Sequence, residues 1–229
     1  MAMQISDDVV AQSPSPRGEK VWDLFVRVSH WTVAAAFFIA YFTEDDVLTL
    51  HVWAGYTVGT LVVMRIIWGF IGPRHARFSD FLYSPFKVWT YLLELATFRA
   101  QRYLGHSPAG GAMTIALLIS LATTVWTGLE LYAAEKNAGP LAVASNEVSS
   151  TGAAKPPVLL RVSDDDYKRE GRRGDRKDGA GEFWEDLHEA LANVTLVLVI
   201  IHICGVLLTS VVHSENLPMT MITGRKRPD

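Results

Sequence analysis

Four long stretches of this sequence contain no Asp, Glu, Lys or Arg: Val28 to Thr43, Val47 to Met64, Tyr103 to Leu129 and Ala190 to Ser214. A helix needs about 20 apolar residues to cross the hydrocarbon core of a bilayer. In lipid the backbone has to satisfy its own hydrogen bonds, which a helix does within one segment. The stretches therefore predict an all-α integral membrane protein, a four-helix transmembrane bundle. The composition agrees, because 49% hydrophobic residues and seven Trp are rich for a chain that is 20% charged. A formal net charge of -3 gives no electrostatic footprint for nucleic acid. Cys204 is the only cysteine, which excludes a disulfide framework.

The spans are expected at residues 25–42, 48–70, 112–133 and 184–212. Residues 1–20 are polar and Ser/Pro-rich with no apolar core of a cleavable leader, and are expected to form a cytoplasmic tail. The turn Thr43-Glu-Asp-Asp-Val47 is so short that spans one and two have to be antiparallel neighbours. Between spans two and three, Ser84-Pro85 reads as an N-cap followed by a first-turn proline. The helix it opens, near residues 85–98, carries Lys87 and Glu94, so it is expected on the membrane surface rather than across it. Residues 134–183 form a long loop whose middle, RVSDDDYKREGRRGDRKDGAGE, has too few apolar residues for a core. It is expected to be a solvated linker, with partner docking as the second reading.

Orientation follows from the positive charge near the membrane. Arg65 near the end of span two and Arg74, Arg77, Lys87, Arg99 and Arg102 after it outnumber Asp80 and Glu94, and the C-terminal tail carries Arg225, Lys226 and Arg227, whereas the turn after span one carries three acids. Both termini are expected in the cytoplasm, with the long loop on the outer side of the membrane.

Ionisable side chains inside spans are costly and usually functional. His188 and His202 lie 14 residues apart on span four, about 21 Å along the axis and about 40° around it. His30 starts span one and His51 starts span two, on opposite sides of the membrane. Two depth-matched pairs result, His51 with His188 and His30 with His202. Each can supply two axial imidazoles to a non-covalent haem b, giving two bis-histidine haems per chain; without a CxxCH motif, c-type attachment is excluded. A single membrane histidine can equally be a satisfied interfacial residue, and zinc is a second ligand reading, but two histidines per layer fall short of its usual set.

Gly55 and Gly59 on the His51 face, and Gly205 after His202, would let a flat macrocycle near the backbone, or serve ordinary helix packing. Arg65 lies 14 residues past His51 and reads either as a haem-propionate partner or as a headgroup anchor. His75, His106 and His213 read as surface residues.

The segments WDLFVRVSHW, HVWAGY, VMRIIWGFIGPRHARFSDF, HSPAGG, IIHICGV and HSENLPMTMITGRK, in this order, resemble the bacterial cytochrome b561 family, which includes the b-type cytochrome subunit of membrane-bound nickel-iron hydrogenases. The resemblance spans most of residues 20–227 outside the long loop. It implies a bundle with two haems b, ligated by His30, His51, His188 and His202, in electron transport of the respiratory chain. It also implies exchange with quinone or quinol and with a periplasmic cytochrome or redox-enzyme subunit such as a hydrogenase, either as an electron-transfer subunit or as a quinol-linked oxidoreductase. The rival from the residues alone is a four-span metal-ion transporter or a scaffold without redox function.

Overall fold

The structure is a computed structural model of the 229-residue chain, and it describes residues 19–43, 47–142 and 165–226. A two-residue strand, β1 (Glu19–Lys20), leads into α1 (Leu24–Phe42), which is followed by α2 (Leu48–Ile71), the short α3 (Phe78–Phe81) and α4 (Pro85–Ala96). Then come α5 (Pro108–Lys136), α6 (Asp165–Val212), α7 (Leu217–Thr223) and a second short strand, β2 (Arg225–Lys226). Four helices are long and apolar enough to cross a membrane: α1, α2, α5 and residues Gly181–Val212 of α6.

The surface of these helices fits lipid and not water. Over its most apolar window span four has a mean hydropathy of 2.6, yet only 6% of that window is buried within the protein. Val197, Ile200, Ile201, Leu207 and Val211 all project outwards, an apolar area far beyond the patches that soluble proteins expose. The chain is a membrane helical bundle.

Spans one and two pair along their length, as do spans three and four, and span two joins the halves through span three. Ala36, Phe37, Val58, Val62 and Leu121 form the shared core. Span four makes little backbone contact with spans one and two. Span four, which carries both His188 and His202, therefore stands off from the helices carrying His51 and His30.

Local signals explain the starts of the elements. Asp23 caps α1 by accepting from Val26 N at 2.9 Å, and its other carboxylate oxygen accepts from Trp68 Nε1 at 3.2 Å, which ties the start of span one to the end of span two. Ser84 caps α4 as expected, accepting from Lys87 N. The same Ser-Pro signal recurs at Ser107-Pro108, where Ser107 accepts from Gly110 N at 3.2 Å. Span three consequently starts four residues before the expected boundary. Gly111 is needed there, because a Cβ would lie 2.4 Å from the Phe81 carbonyl oxygen.

β1 and β2 pair antiparallel, Glu19 with Lys226 and Lys20 with Arg225, so the two ends of the described chain meet. Gly224 turns the chain with φ +78° directly beneath the Trp22 carbonyl. This end of the bundle is called the strand end below, and the opposite one, where α1 turns into α2, the hairpin end. The other departure lies in the long loop, where the composition predicts no helix. Residues 143–164 lie outside the described residues, but the backbone is helical from Asp165 onwards. Growth from an existing helix avoids the cost of nucleation, and Lys, Arg and Glu are adequate helix formers.

Candidate functional site

At the hairpin end His51, in the first turn of α2, faces His188 on span four, with ring centres 6.0 Å apart. Towards the strand end His30 on span one faces His202, with ring centres 6.3 Å apart. An imidazole nitrogen lies about 2 Å from a first-row metal that it ligates and its ring centre about 1 Å further, so two rings flanking one metal stand about 6 Å apart. Both separations fit a pair of axial imidazoles. Among the described residues no three His, Cys, Asp or Glu converge as a zinc site would require.

The hairpin-end rings are oriented from behind. His51 Nδ1 lies 2.9 Å from the Ala40 carbonyl oxygen, and His188 Nδ1 lies 3.0 Å from that of Thr124 and 3.2 Å from Thr127 Oγ1. A carbonyl oxygen only accepts, so both Nδ1 atoms carry the proton and Nε2 is the nitrogen left to ligate a metal. Such a bond to a backbone carbonyl is the usual outer-shell support of a ligating histidine.

Between this pair lies a cleft of about 750 Å³ including its open side, bounded by Phe37, Val52, Val58, Leu121, Val125 and Leu129 with Tyr41, Tyr56 and Tyr132 towards the hairpin end. Its walls are almost wholly apolar, as a site for a large flat cofactor should be. Gly55 lies on the wall, and a Cβ built there would meet nothing within 4 Å. Gly59 instead packs against Val125 and serves helix contact.

Three contributors escape a reading of the sequence. A Cβ at Gly128 would lie 2.9 Å from His188 Cε1, so the missing side chain is what seats that ring. Thr124 and Thr127 belong to the same turn and hold the His188 proton. A glycine inside an apolar span is a faint signal, since it costs about 1 kcal/mol of helix propensity unless something needs the space.

At the strand end His30 Nδ1 is buried with no hydrogen-bond partner among the described residues, and Gly205 has open space before it. Arg65 donates to the Ala76 carbonyl at 3.1 Å and lies over the Phe78 ring. Of the other three histidines His106 departs from the expected surface role, while His75 and His213 are half-buried. His106 is wedged between Trp22 and Phe81 with its Nδ1 buried and unpartnered among the described residues. Burial, reinforced by the charges of Arg65 and Lys226 and by His75, lowers its pKa to about 3. His213 has a buried, unpartnered Nε2 among the described residues, and burial lowers its pKa too. His75 Nδ1 donates to Asp80 Oδ2 at 3.1 Å. What made His106 look like a surface residue was its place beside basic segments, but Trp22 and Phe81 enclose it.

A family model described as prokaryotic cytochrome b561 matches residues 21–224. No curated protein and no solved structure matches the chain. The match runs from the residue after β1 to the glycine before β2 and takes in all four spans and both histidine pairs. The chain belongs to the prokaryotic cytochrome b561 family and is a b-type membrane cytochrome of electron transfer.

Proposed function

We propose that the protein carries electrons across the bacterial inner membrane between the quinone pool and a periplasmic redox partner, using two haems b. His51 and His188 hold one haem and His30 and His202 the other. The observation that carries this reading is the repetition of one arrangement: two imidazole pairs at ligating separation, about 21 Å apart along span four. When bound, haem b supplies a reversible one-electron couple. The chain's own part is to fix axial geometry, keep water from the cleft with apolar walls, and set the charge around each site.

Gly55 would leave room for the macrocycle beside His51, and Arg65, which rests on Phe78, would neutralise a propionate. The strand end is cytoplasmic, with both termini, and the hairpin end periplasmic, so a cytochrome or a hydrogenase-like subunit docks near the acidic turn. α4 lies in the cytoplasmic headgroup layer. Supporting this, Phe86, Trp89 and Leu93 are exposed on it while Tyr91 and Leu95 are buried, the pattern of an interfacial helix.

Haem quantitation on purified protein and on four alanine variants tests the proposal. Two haems per chain are expected, falling to one in His51→Ala and His188→Ala, which should share one residual spectrum, and to one in His30→Ala and His202→Ala, which should share another. A protein with no Soret band, or one in which His30→Ala matches His188→Ala, overturns the assignment.

A further inference from the structure

The helix α4 presents three different surfaces. Phe86, Trp89 and Leu93 recur at helical spacing along one face and are exposed, Phe86 to 80%. α4 packs on α5 through the opposite face, where Tyr91 and Leu95 are buried. Lys87, Thr90 and Glu94 fall on the narrow polar arc between the two.

The exposed cations around this helix exceed the acids. Arg74, Arg77, Lys87 and Arg99 are all exposed, the Arg74 side chain to 87%. Asp80 is already shared between Arg74 at 3.7 Å and His75 at 3.1 Å, and Arg102 has Glu215 at 3.1 Å. Between α2 and α5 that leaves one further acid, Glu94, for Arg77, Lys87 and Arg99. Two of these cations are held in place: Arg77 Nε donates to the Gly72 carbonyl at 2.6 Å, and Lys87 Nζ lies 4.7 Å from the centre of the Tyr83 ring.

An apolar outer face flanked by surplus cations fits a surface that is apolar beneath and anionic above. A zwitterionic lipid would satisfy the apolar face and leave the charge unanswered. We propose that α4 and its flanks are a docking surface for anionic phospholipid, with acyl chains against Phe86, Trp89 and Leu93 and the phosphodiester among Arg74, Arg77, Lys87 and Arg99. The proposal rests on the reading of α4 as an interfacial helix and adds the class of lipid that it holds. Its effect reaches inwards through two tyrosines. The Tyr83 hydroxyl, on the ring beneath Lys87, donates to the His106 carbonyl at 3.4 Å, and Tyr91 meets Tyr103 with ring centres 5.8 Å apart. Bound anionic lipid should therefore steady residues 78–106 and not α4 alone.

Holoprotein in nanodiscs of equal phosphatidylglycerol and phosphatidylcholine tests this, with the retained lipids identified by native mass spectrometry. Phosphatidylglycerol should be retained in about fivefold excess and fall towards parity at high salt, which screens charge. The triple variant Arg74→Gln, Lys87→Gln, Arg99→Gln, which leaves Arg77 to hold the end of span two, should also fall to parity with its haem spectrum unchanged. Arg74→Lys with Arg99→Lys should keep the excess. Amide exchange across residues 78–106 should be slower in phosphatidylglycerol discs than in phosphatidylcholine discs for the wild type, and equal in the two for the triple variant. Equal retention by the wild type, an excess that survives in the triple variant, or an exchange rate indifferent to lipid charge would overturn the proposal. Should the triple variant not fold, the salt series on the wild type decides: an excess that persists at high salt overturns it. Phosphatidylcholine with brominated chains should quench the emission that Trp89→Phe removes. Quenching without phosphatidylglycerol excess fails the lipid preference alone, whereas a Trp89 that is not quenched, because a protein surface covers it, fails the interfacial reading and the preference with it.

Discussion

The strand end and the hairpin end of the bundle are closed in different ways. At the strand end the protein closes itself: β1 pairs with β2, Val21, Trp22, Val26 and Ala76 form a small core, and Glu215 sits buried between Arg102 at 3.1 Å and Lys226 at 4.0 Å. At the hairpin end the spans diverge around an apolar cleft whose polar features are two oriented histidines and a rim of tyrosines. The first region is held by contacts that the chain makes with itself. The second leaves an apolar cleft open, so a group bound there would add to its stability. Perturbations of one end should leave the other standing, and each expectation below tries to break that separation.

The largest effect is expected at Glu215. Removing one partner of a buried ion pair costs about 3 kcal/mol or more, and here Glu215→Ala would remove the carboxylate that Arg102 and Lys226 share. Thermal unfolding in detergent should shift down, and hydrogen exchange should quicken across residues 19–27 and 215–226. The His51 and His188 haem should keep its spectrum. Its loss would show that the two ends fold as one unit.

Gly55 and Gly128 sharpen the same contrast from the other side. Gly55→Leu places a side chain where the protein alone offers open space, so the fold should persist while the hairpin-end haem is lost. Gly128→Ala pushes on His188 and should weaken the same haem with the strand-end haem unchanged. Retention of both haems in Gly55→Leu would show that the macrocycle does not occupy this wall.

These glycines also mark how far the sequence could be read. The spans were legible because charge is excluded from lipid, and the two ring pairs followed from helix periodicity and antiparallel order alone. Ser84-Pro85 was legible as a cap; Ser107-Pro108 carries the same signal, masked by the glycines that follow it. Thr124, Thr127 and Gly128 act only through the packing of span three on span four, which no spacing within one helix encodes. The enclosure of His106 was illegible for the same reason, since Trp22 and Phe81 reach it from distant parts of the chain.

A smaller, pH-dependent effect is expected from His106. Its folded pKa is about 3, below the 6.5 of an exposed histidine. Between those values the unfolded state binds the proton and the folded state does not, so stability is fully present above about pH 6.5 and declines as pH falls towards 3. Melting temperature should therefore drop on acidification from pH 7 to pH 5, and His106→Gln should flatten part of that slope. The change in exchange should again be confined to the strand end. An identical slope in the variant would assign the acid sensitivity to other groups, His213 first among them.

The smallest effect is expected midway between the ends. Thr195 lies seven residues from His188 and seven from His202, on the face that both histidines use, and it is wholly buried. Rather than facing a cofactor it meets span three, with Ser120 Oγ at 2.7 Å and Thr124 Oγ1 at 3.1 Å. Hydrogen bonds between transmembrane helices contribute about 0.6 kcal/mol on average, so Thr195→Val, which keeps the shape, should lower stability by only about that much. Its informative property is position. Thr124 supplies the carbonyl that orients His188, so a shift of span three at this joint would reach the hairpin-end ring and not His30. Thr195→Val should leave the strand-end haem unchanged and move the hairpin-end spectrum slightly. In the double variant with Glu215→Ala the two stability losses should add within about 0.5 kcal/mol, as they do for sites without shared partners. A larger coupling would mean that span four transmits strain along its length, and the two sites could then no longer be treated as independent.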